Sequence, residues 1–273
     1  MSASSRTPFG GACVCAQEQA TDLAGLPNVP DTAAVIVAGG SGERFGDPRG
    51  KQFVDLCGVP LLCWSVMAFD RAPSIERIII VCAPDKVKNV QEDVLSRLTL
   101  RCPVELAPAG DTRQASSLSG LSRVPRDLPL VAIHDAARPL VEVEMIERAC
   151  ACVRQNPELA GAICASRCID TLKLVEGTDI VATPDRTIYW AAQTPQVFRL
   201  RDVYAAHKAA VWDSFAGTDD ASLVERHGGR VRCVECSRDN LKVTIPEDLA
   251  VAQATLEQRL IEEGCGRTLE GDN

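Results

Sequence analysis

Two basic residues, Arg44 and Lys51, sit in a glycine-rich stretch that follows an apolar run, "AAVIVAGGSGERFGDPRGKQF", Ala33 to Phe53. Backbone N–H groups in a turn after a strand can point at an anion, and a nearby arginine and lysine can hold the same anion. The pattern therefore suits a phosphate. Two common phosphate loops do not match it. A Walker A loop needs G-x-x-x-x-G-K-[ST], but Gly50-Lys51 is followed by Gln52, and position 45 is Phe45. A dinucleotide fingerprint needs G-x-G-x-x-G, and here Gly40, Gly42 and Gly46 put the third glycine one place late. Nor is there a Ser-His-Asp pattern or a G-x-S-x-G turn.

The elements that must position this loop alternate regularly. "AAVIVA" reads as a strand and "LLCWSVMAFDRA" as a helix with Leu62, Val66 and Phe69 on one face. "IERIIIVCAP" is a buried strand, followed by a charged helix over Asp85 to Leu98. "CPVELAP" is a third strand, and "DTRQASSLSGLSRV" a helix opened by Asp111. "LPLVAIHDAARP" is a fourth strand ending in a polar loop. Such a β-α-β-α-β-α-β order predicts an α/β fold, a parallel sheet with helices on both faces and its ligand beyond the carboxyl ends of the strands. The stretch "AGAICASRCIDTLKLVEGTDIVATPDRTIYWAAQTPQVF" alternates apolar and polar residues around Glu176–Gly177, which predicts a hairpin arm over about 163–190. An exposed apolar hairpin wants a partner, and a second copy of the chain is the expected one. "NLKVTIPEDLAVAQATLEQRL" predicts a closing strand and helix, with Pro246, Glu247 and Asp248 in the first helical turn. The expected organisation is a tail over 1–31, one domain over 32–262 and a second tail over 263–273. A fused downstream domain is not expected.

Composition narrows the partners. The formal charge of −8 argues against a nucleic-acid binder, and aromatics at 4% argue against stacking platforms. No apolar run approaches membrane-spanning length, and no secretory signal pattern opens the chain. The expected location is cytoplasmic. Most of the 13 cysteines lie in apolar runs and read as small hydrophobes in a reducing compartment. Cys233 and Cys236 have CxxC spacing without a second pair, so neither a zinc nor a redox module is expected; Cys13 and Cys15 lie in the tail.

Six motifs, "AGGSGERFG…KQF", "GDTRQASSLSGL", "HDAARP", "DRTIYWAAQTPQVF", "TDDASLVE" and "NLKVT", occur in one order. From about Thr32 to Leu260 the chain thereby resembles the 2-C-methyl-D-erythritol 4-phosphate cytidylyltransferases and their relatives, the ribitol 5-phosphate cytidylyltransferases. The resemblance implies a Rossmann-like, mostly parallel sheet of the nucleotidyltransferase (glycosyltransferase-A-like) type with a protruding β-hairpin arm. It implies transfer of CMP from CTP to a sugar-alcohol phosphate, with Mg²⁺ or another divalent cation as cofactor and pyrophosphate released. The wording "HDAARP" favours methylerythritol phosphate; ribitol phosphate is the alternative, and a catalytically inactive binding subunit a further one.

By that resemblance Arg44 and Lys51 face the CTP phosphates, while Arg186 and Lys242 aim the attacking phosphate. Ala38, Gly39, Gly40, Gly42, Gly110, Asp111 and Ser116 would bind CTP. Asp135, Arg138, Thr171, Thr194 and Thr218 would bind the acceptor, and Asp135 with Asp239 would hold the metal. His134 would orient and not catalyse. Asp135 has a structural reading as well, an ion pair with Arg138. Arg186 and Thr171 lie on the hairpin, which in the family reaches across a homodimer. One departure is Gly50 before Lys51, where the family usually has "PKQF"; a glycine there predicts a more flexible loop.

Overall fold

The computed structural model describes residues 29–40, 45 and 49–262. Their centre is a seven-stranded sheet in the order β11-β7-β10-β6-β1-β4-β5. The strands are β1 (Thr32–Val37), β4 (Ile75–Cys82), β5 (Val104–Pro108), β6 (Leu130–Asp135), β7 (Gly161–Arg167), β10 (Trp190–Arg199) and β11 (Val231–Glu235). Only β10 runs against its neighbours; β1, β4, β5 and β6 pair in parallel, as do β7 and β11. Ala33 to Ile36 are fully buried because helices cover both faces of the sheet.

One face packs α1 (Leu61–Arg71) and α4 (Val143–Gln155). The other packs α3 (Arg113–Leu121), α5 (Leu200–Trp212) and α6 (Asp220–Arg226). A third, smaller cluster joins the two-stranded β2 (Asp55–Leu56) and β3 (Val59–Pro60) to α7 (Pro246–Glu262) through Leu56, Val243, Ala252 and Leu256. This staple brings the "NLKVT" segment back over the sheet.

Four local expectations change. The helix over Asp85 to Leu98 is a chain of short helical turns, with α2 confined to Val87–Asn89 and a wider turn over Val90–Val94. Its three valines and flanking Asp and Asn residues are poor helix formers. Asp111 does not cap α3; Thr112 does, its hydroxyl accepting from the Ala115 N–H. "NLKVT" is not a strand: the Val243 N–H donates to the Ala137 carbonyl, and the Asp248 carboxylate takes the N–H groups of Thr244 and Ile245. The hairpin arm is shorter than expected, β8 (Leu174–Glu176) and β9 (Asp179–Ala182), because Ile163 to Arg167 belong to the main sheet. Gly177 turns the arm at φ +62°, a left-handed conformation that glycine tolerates. Cys63, Cys82, Cys102, Cys150, Cys164 and Cys236 are buried thiols, and burial pushes Cys150 up to about 12.

Candidate active site

Beyond the carboxyl ends of β1, β5 and β6 lies a cavity of about 740 Å³. Its floor is Val37, Ala38, Gly39 and Gly40 from the end of β1, and Asp135, Ala136 and Ala137 from the end of β6. One side is Gly110, Asp111, Thr112, Arg113 and Ser116, from the turn into α3; the other is Lys51, Gln52, Lys242 and Thr244. Gly39 is needed for packing: a Cβ there would stand 2.3 Å from the Ala109 Cβ. Gly40 would meet nothing within 4 Å, so its backbone is open on that side.

Lys51 is set by a turn that only glycine enters easily. Gly50 has φ +99°, and a Cβ on it would lie 2.8 Å from the Gln52 side chain. The short helical turn Lys51–Phe53 follows, anchored by buried Phe53, and Lys51 Nζ donates to the Val243 carbonyl at 3.1 Å. The glycine therefore serves a defined conformation.

Asp135 is the electrostatic centre. Its Oδ1 accepts from Arg113 Nε at 2.8 Å and its Oδ2 from Lys242 Nζ at 2.7 Å. Burial alone would raise its pKa, but Arg113 and then Lys242 outweigh burial and hold the carboxyl well below the usual range. The Thr194 hydroxyl accepts from the Asp135 N–H at 3.1 Å, which leaves its proton for His134 Nδ1 at 3.0 Å. His134 Nε2–H then faces the Arg138 carbonyl at 3.2 Å. Burial pushes the His134 pKa down to about 3, so the ring is neutral and braces its neighbours. Arg138 does not pair with Asp135; its Nη1 donates to the Asn240 carbonyl at 2.6 Å.

Of the expected site residues, the cavity gathers Ala38, Gly39, Gly40, Lys51, Gly110, Asp111, Ser116, Asp135 and Lys242. Gly42 and Arg44 lie outside the described residues. Thr194 is buried behind Asp135. Thr218 is exposed on the loop before α6, and Asp239 is exposed, its carboxylate accepting from the Ser237 hydroxyl at 2.9 Å. Thr171 and Arg186 are exposed at the hairpin arm, where the Arg186 guanidinium meets the Ile169 carbonyl of its own arm. None of these four lines the cavity. Sequence reasoning missed Arg113, which also bonds Asp220 Oδ2 at 2.7 Å. Nothing local in "GDTRQ" sets this arginine apart from a solvated one in the first turn of a helix.

A mostly parallel sheet ending in a cavity walled by glycines and cations defines an α/β nucleotide-binding protein. The chain belongs, more narrowly, to the 2-C-methyl-D-erythritol 4-phosphate cytidylyltransferase family, whose profile it matches over residues 32–258. It is 40% identical to the enzyme of that name from Caldanaerobacter subterraneus over 227 residues, 83% of this chain and 99% of the relative. The counterpart in Thermosynechococcus vestitus is 41% identical over 231 residues, 84% of this chain and 97% of the relative. Among solved structures, 4-diphosphocytidyl-2C-methyl-D-erythritol synthase from Anaerococcus prevotii superposes with a TM-score of 0.73 at 27% identity, covering 83% of this chain and 96% of that one. No described helix is long and apolar enough to cross a membrane.

Proposed function

We propose that the chain transfers CMP from CTP to the phosphate of 2-C-methyl-D-erythritol 4-phosphate, giving 4-CDP-2-C-methyl-D-erythritol and pyrophosphate for isoprenoid precursor synthesis. One observation carries the mechanism: Lys51, Arg113 and Lys242 surround a single cavity at the strand ends. The attacking phosphate monoester has a second pKa near 6 and is an anion at neutral pH, so no general base is required. The obstacle is repulsion. Each pair of unit charges at ~4 Å costs on the order of 4 kcal/mol at an effective dielectric of 20.

Lys51, held over the β1 end, faces the CTP phosphates and meets the charge that grows at the α-phosphorus. Arg44 acts with it. Lys242 aims the acceptor phosphate from the opposite wall, and Asp135 holds that lysine in place until the anion competes for it. Ala38, Gly39, Gly40, Gly110, Asp111 and Ser116 receive the nucleoside and triphosphate; Gly42 belongs to the same loop. Arg138 and Thr194 act behind the acceptor, through the Asp135 segment that they brace. Thr218 reaches the sugar-alcohol hydroxyls.

The residues present fit Mg²⁺ held chiefly by substrate phosphates. Asp111 and Asp135 are the carboxylates lining the described cavity, and no group of three or more His, Cys, Asp or Glu forms a cage among the described residues. Asp135 would hold the ion and Asp239 would take no direct part, since its carboxylate is turned to Ser237. The ion would supply charge neutralisation to the triphosphate.

The working form is a cytoplasmic homodimer in which the hairpin arm brings Thr171 and Arg186 to the neighbour's acceptor site. Exposed Leu174, Val175, Ile180, Val181 and Ile188 on the arm support this. Mixing Arg186→Ala with Lys242→Ala chains tests it. If arms cross, hybrid dimers hold one intact site and the mixture recovers about a quarter of native activity; if each arm serves its own body, nothing returns. The substrate assignment is tested by pyrophosphate release from CTP and Mg²⁺, with methylerythritol 4-phosphate and ribitol 5-phosphate in separate reactions. Release with the first alone is expected, and release with ribitol phosphate alone would move the chain to polyol activation.

A further inference from the structure

The charged side chains of the site do not stop at the cavity wall. From Lys242 and Asp135 the contacts continue through Arg113 to Asp220 and end at His207. Arg113 uses two edges of its guanidinium, Nε on Asp135 Oδ1 at 2.8 Å and Nη1 on Asp220 Oδ2 at 2.7 Å. The other oxygen of Asp220, Oδ1, lies 2.9 Å from His207 Nε2. Asp220 is 1% exposed and His207 fully buried on α5.

The proton in the last contact can be assigned. Burial alone would raise the Asp220 pKa, but Arg113 and His207 outweigh it, so the carboxylate is charged and can only accept. His207 Nε2 therefore carries the hydrogen. Its Nδ1 is buried without a hydrogen-bond partner among the described residues. An apolar side chain would occupy the same place, beside buried Val203 and Ala210, without an orphaned nitrogen. Packing does not explain the histidine. Geometry does: a carboxylate held at one oxygen can turn about its last torsion, and one held at both oxygens cannot.

The backbone around this pair is already fixed by other groups. Asp219 caps α6, and Gln196 bonds both the Asp219 carboxylate and the Ala221 N–H. Gln114, next to Arg113, ties the preceding loop to α3 through the Phe215 carbonyl and the Gly217 N–H. What these clamps leave undetermined is the plane of the Asp220 carboxylate, and with it the angle of Arg113.

We propose that His207 is a remote positioning residue of the active site: through Asp220 it sets the angle of Arg113, which holds Asp135 in the orientation that receives Lys242. The inference rests on the transfer reading above for its consequence in turnover, but not for the geometry itself.

Two readouts test it in the full chain. The first is the ¹⁵N–¹H signal of Arg113 Nε, identified as the one lost in Arg113→Lys. It shifts or broadens in His207→Phe and returns in His207→Gln, whose amide restores a donor to Asp220. The second is pyrophosphate release with CTP and methylerythritol 4-phosphate. In His207→Phe kcat falls about tenfold while the KM for CTP stays within about twofold, and His207→Gln recovers most of the loss. In the Arg113→Lys background the same substitution costs nothing further. An unmoved Arg113 signal in a folded His207→Phe protein overturns the proposal, as does an equal loss in both backgrounds. Should the phenylalanine variant not fold, the smaller His207→Leu is read by the same criteria. A native protein that releases no pyrophosphate would sink the transfer reading alone; the Arg113 signal would still decide this one.

Discussion

The cavity wall and the hairpin arm carry the two halves of one proposed site, yet they are built in opposite ways. Asp135, Thr194 and His134 are buried, and each is held by at least two named contacts, which tie β6 to β10, to the following loop, to α3 and to the "NLKVT" segment. On the arm Ile180 is 63% exposed and Ile188 75%, and the side-chain contact from Lys173 to Thr183 stays within the arm. The body thus stores precision in its own core, whereas the arm has apolar surface and no core to put it in. A site assembled from both needs a surface for the arm to lie on, which is what a second copy would supply.

The contrast can be broken where the body is densest. Phe198→Ala on β10 removes a fully buried ring that touches Gly161, and should cost about 3–5 kcal/mol of unfolding free energy by denaturant titration. Lys242→Ala should leave the fold intact and lower kcat by about 10²–10³, since it removes a charge facing the reacting phosphate. An effect on KM alone would assign Lys242 to simple binding.

Smaller and sharper is the acid response. His134 has its pKa pushed from 6.5 down to about 3 by burial, so below pH 6.5 the unfolded chain takes a proton that the native one refuses. Stability is unaffected above that pH and falls as pH drops from 6.5 toward 3, by at most about 1.4 kcal/mol per unit. Asp135 adds its own loss only lower, as pH falls below its ordinary value of 3.8, because its folded pKa is depressed. Denaturant titrations across pH 7 to 4 should show the slope, and His134→Asn should flatten it. Smallest of all, Ile180→Ser on the arm should change unfolding free energy at high dilution by about 0.5 kcal/mol or less. The same substitution should weaken self-association in sedimentation.

The order of elements was legible because apolar runs such as "RIIIVCAP" and "LVAIHD" are buried on both faces and carry no polar alternation to confuse them. Lys51, Asp135 and Lys242 were legible through motif resemblance, and the fold brings all three to one cavity. Arg113 was not, because nothing local distinguishes an arginine that bridges two carboxylates 22 and 107 positions away from a solvated one on a helix. Asp111 and Thr112 are both good caps by type, and only backbone geometry decides between them. The segment "NLKVT" has strand-like composition, but its N–H groups are taken by Ala137 and Asp248, so it lies over the sheet without joining it.

The strand order has a consequence for synthesis. β1 sits mid-sheet, with Thr32 facing Ile75 on one side and Leu130 on the other. As the chain leaves the ribosome, one hydrogen-bonding edge of β1 finds β4 early, while the other waits for β6, roughly a hundred residues after β1. At about 5–20 residues per second that is an interval on the order of 5–20 s. For that time the nascent chain offers an unpaired, buried-type edge to anything that adds strands. Slow codons between Val37 and Leu130 would lengthen the exposure, whereas slow codons before Thr32 would leave it unchanged.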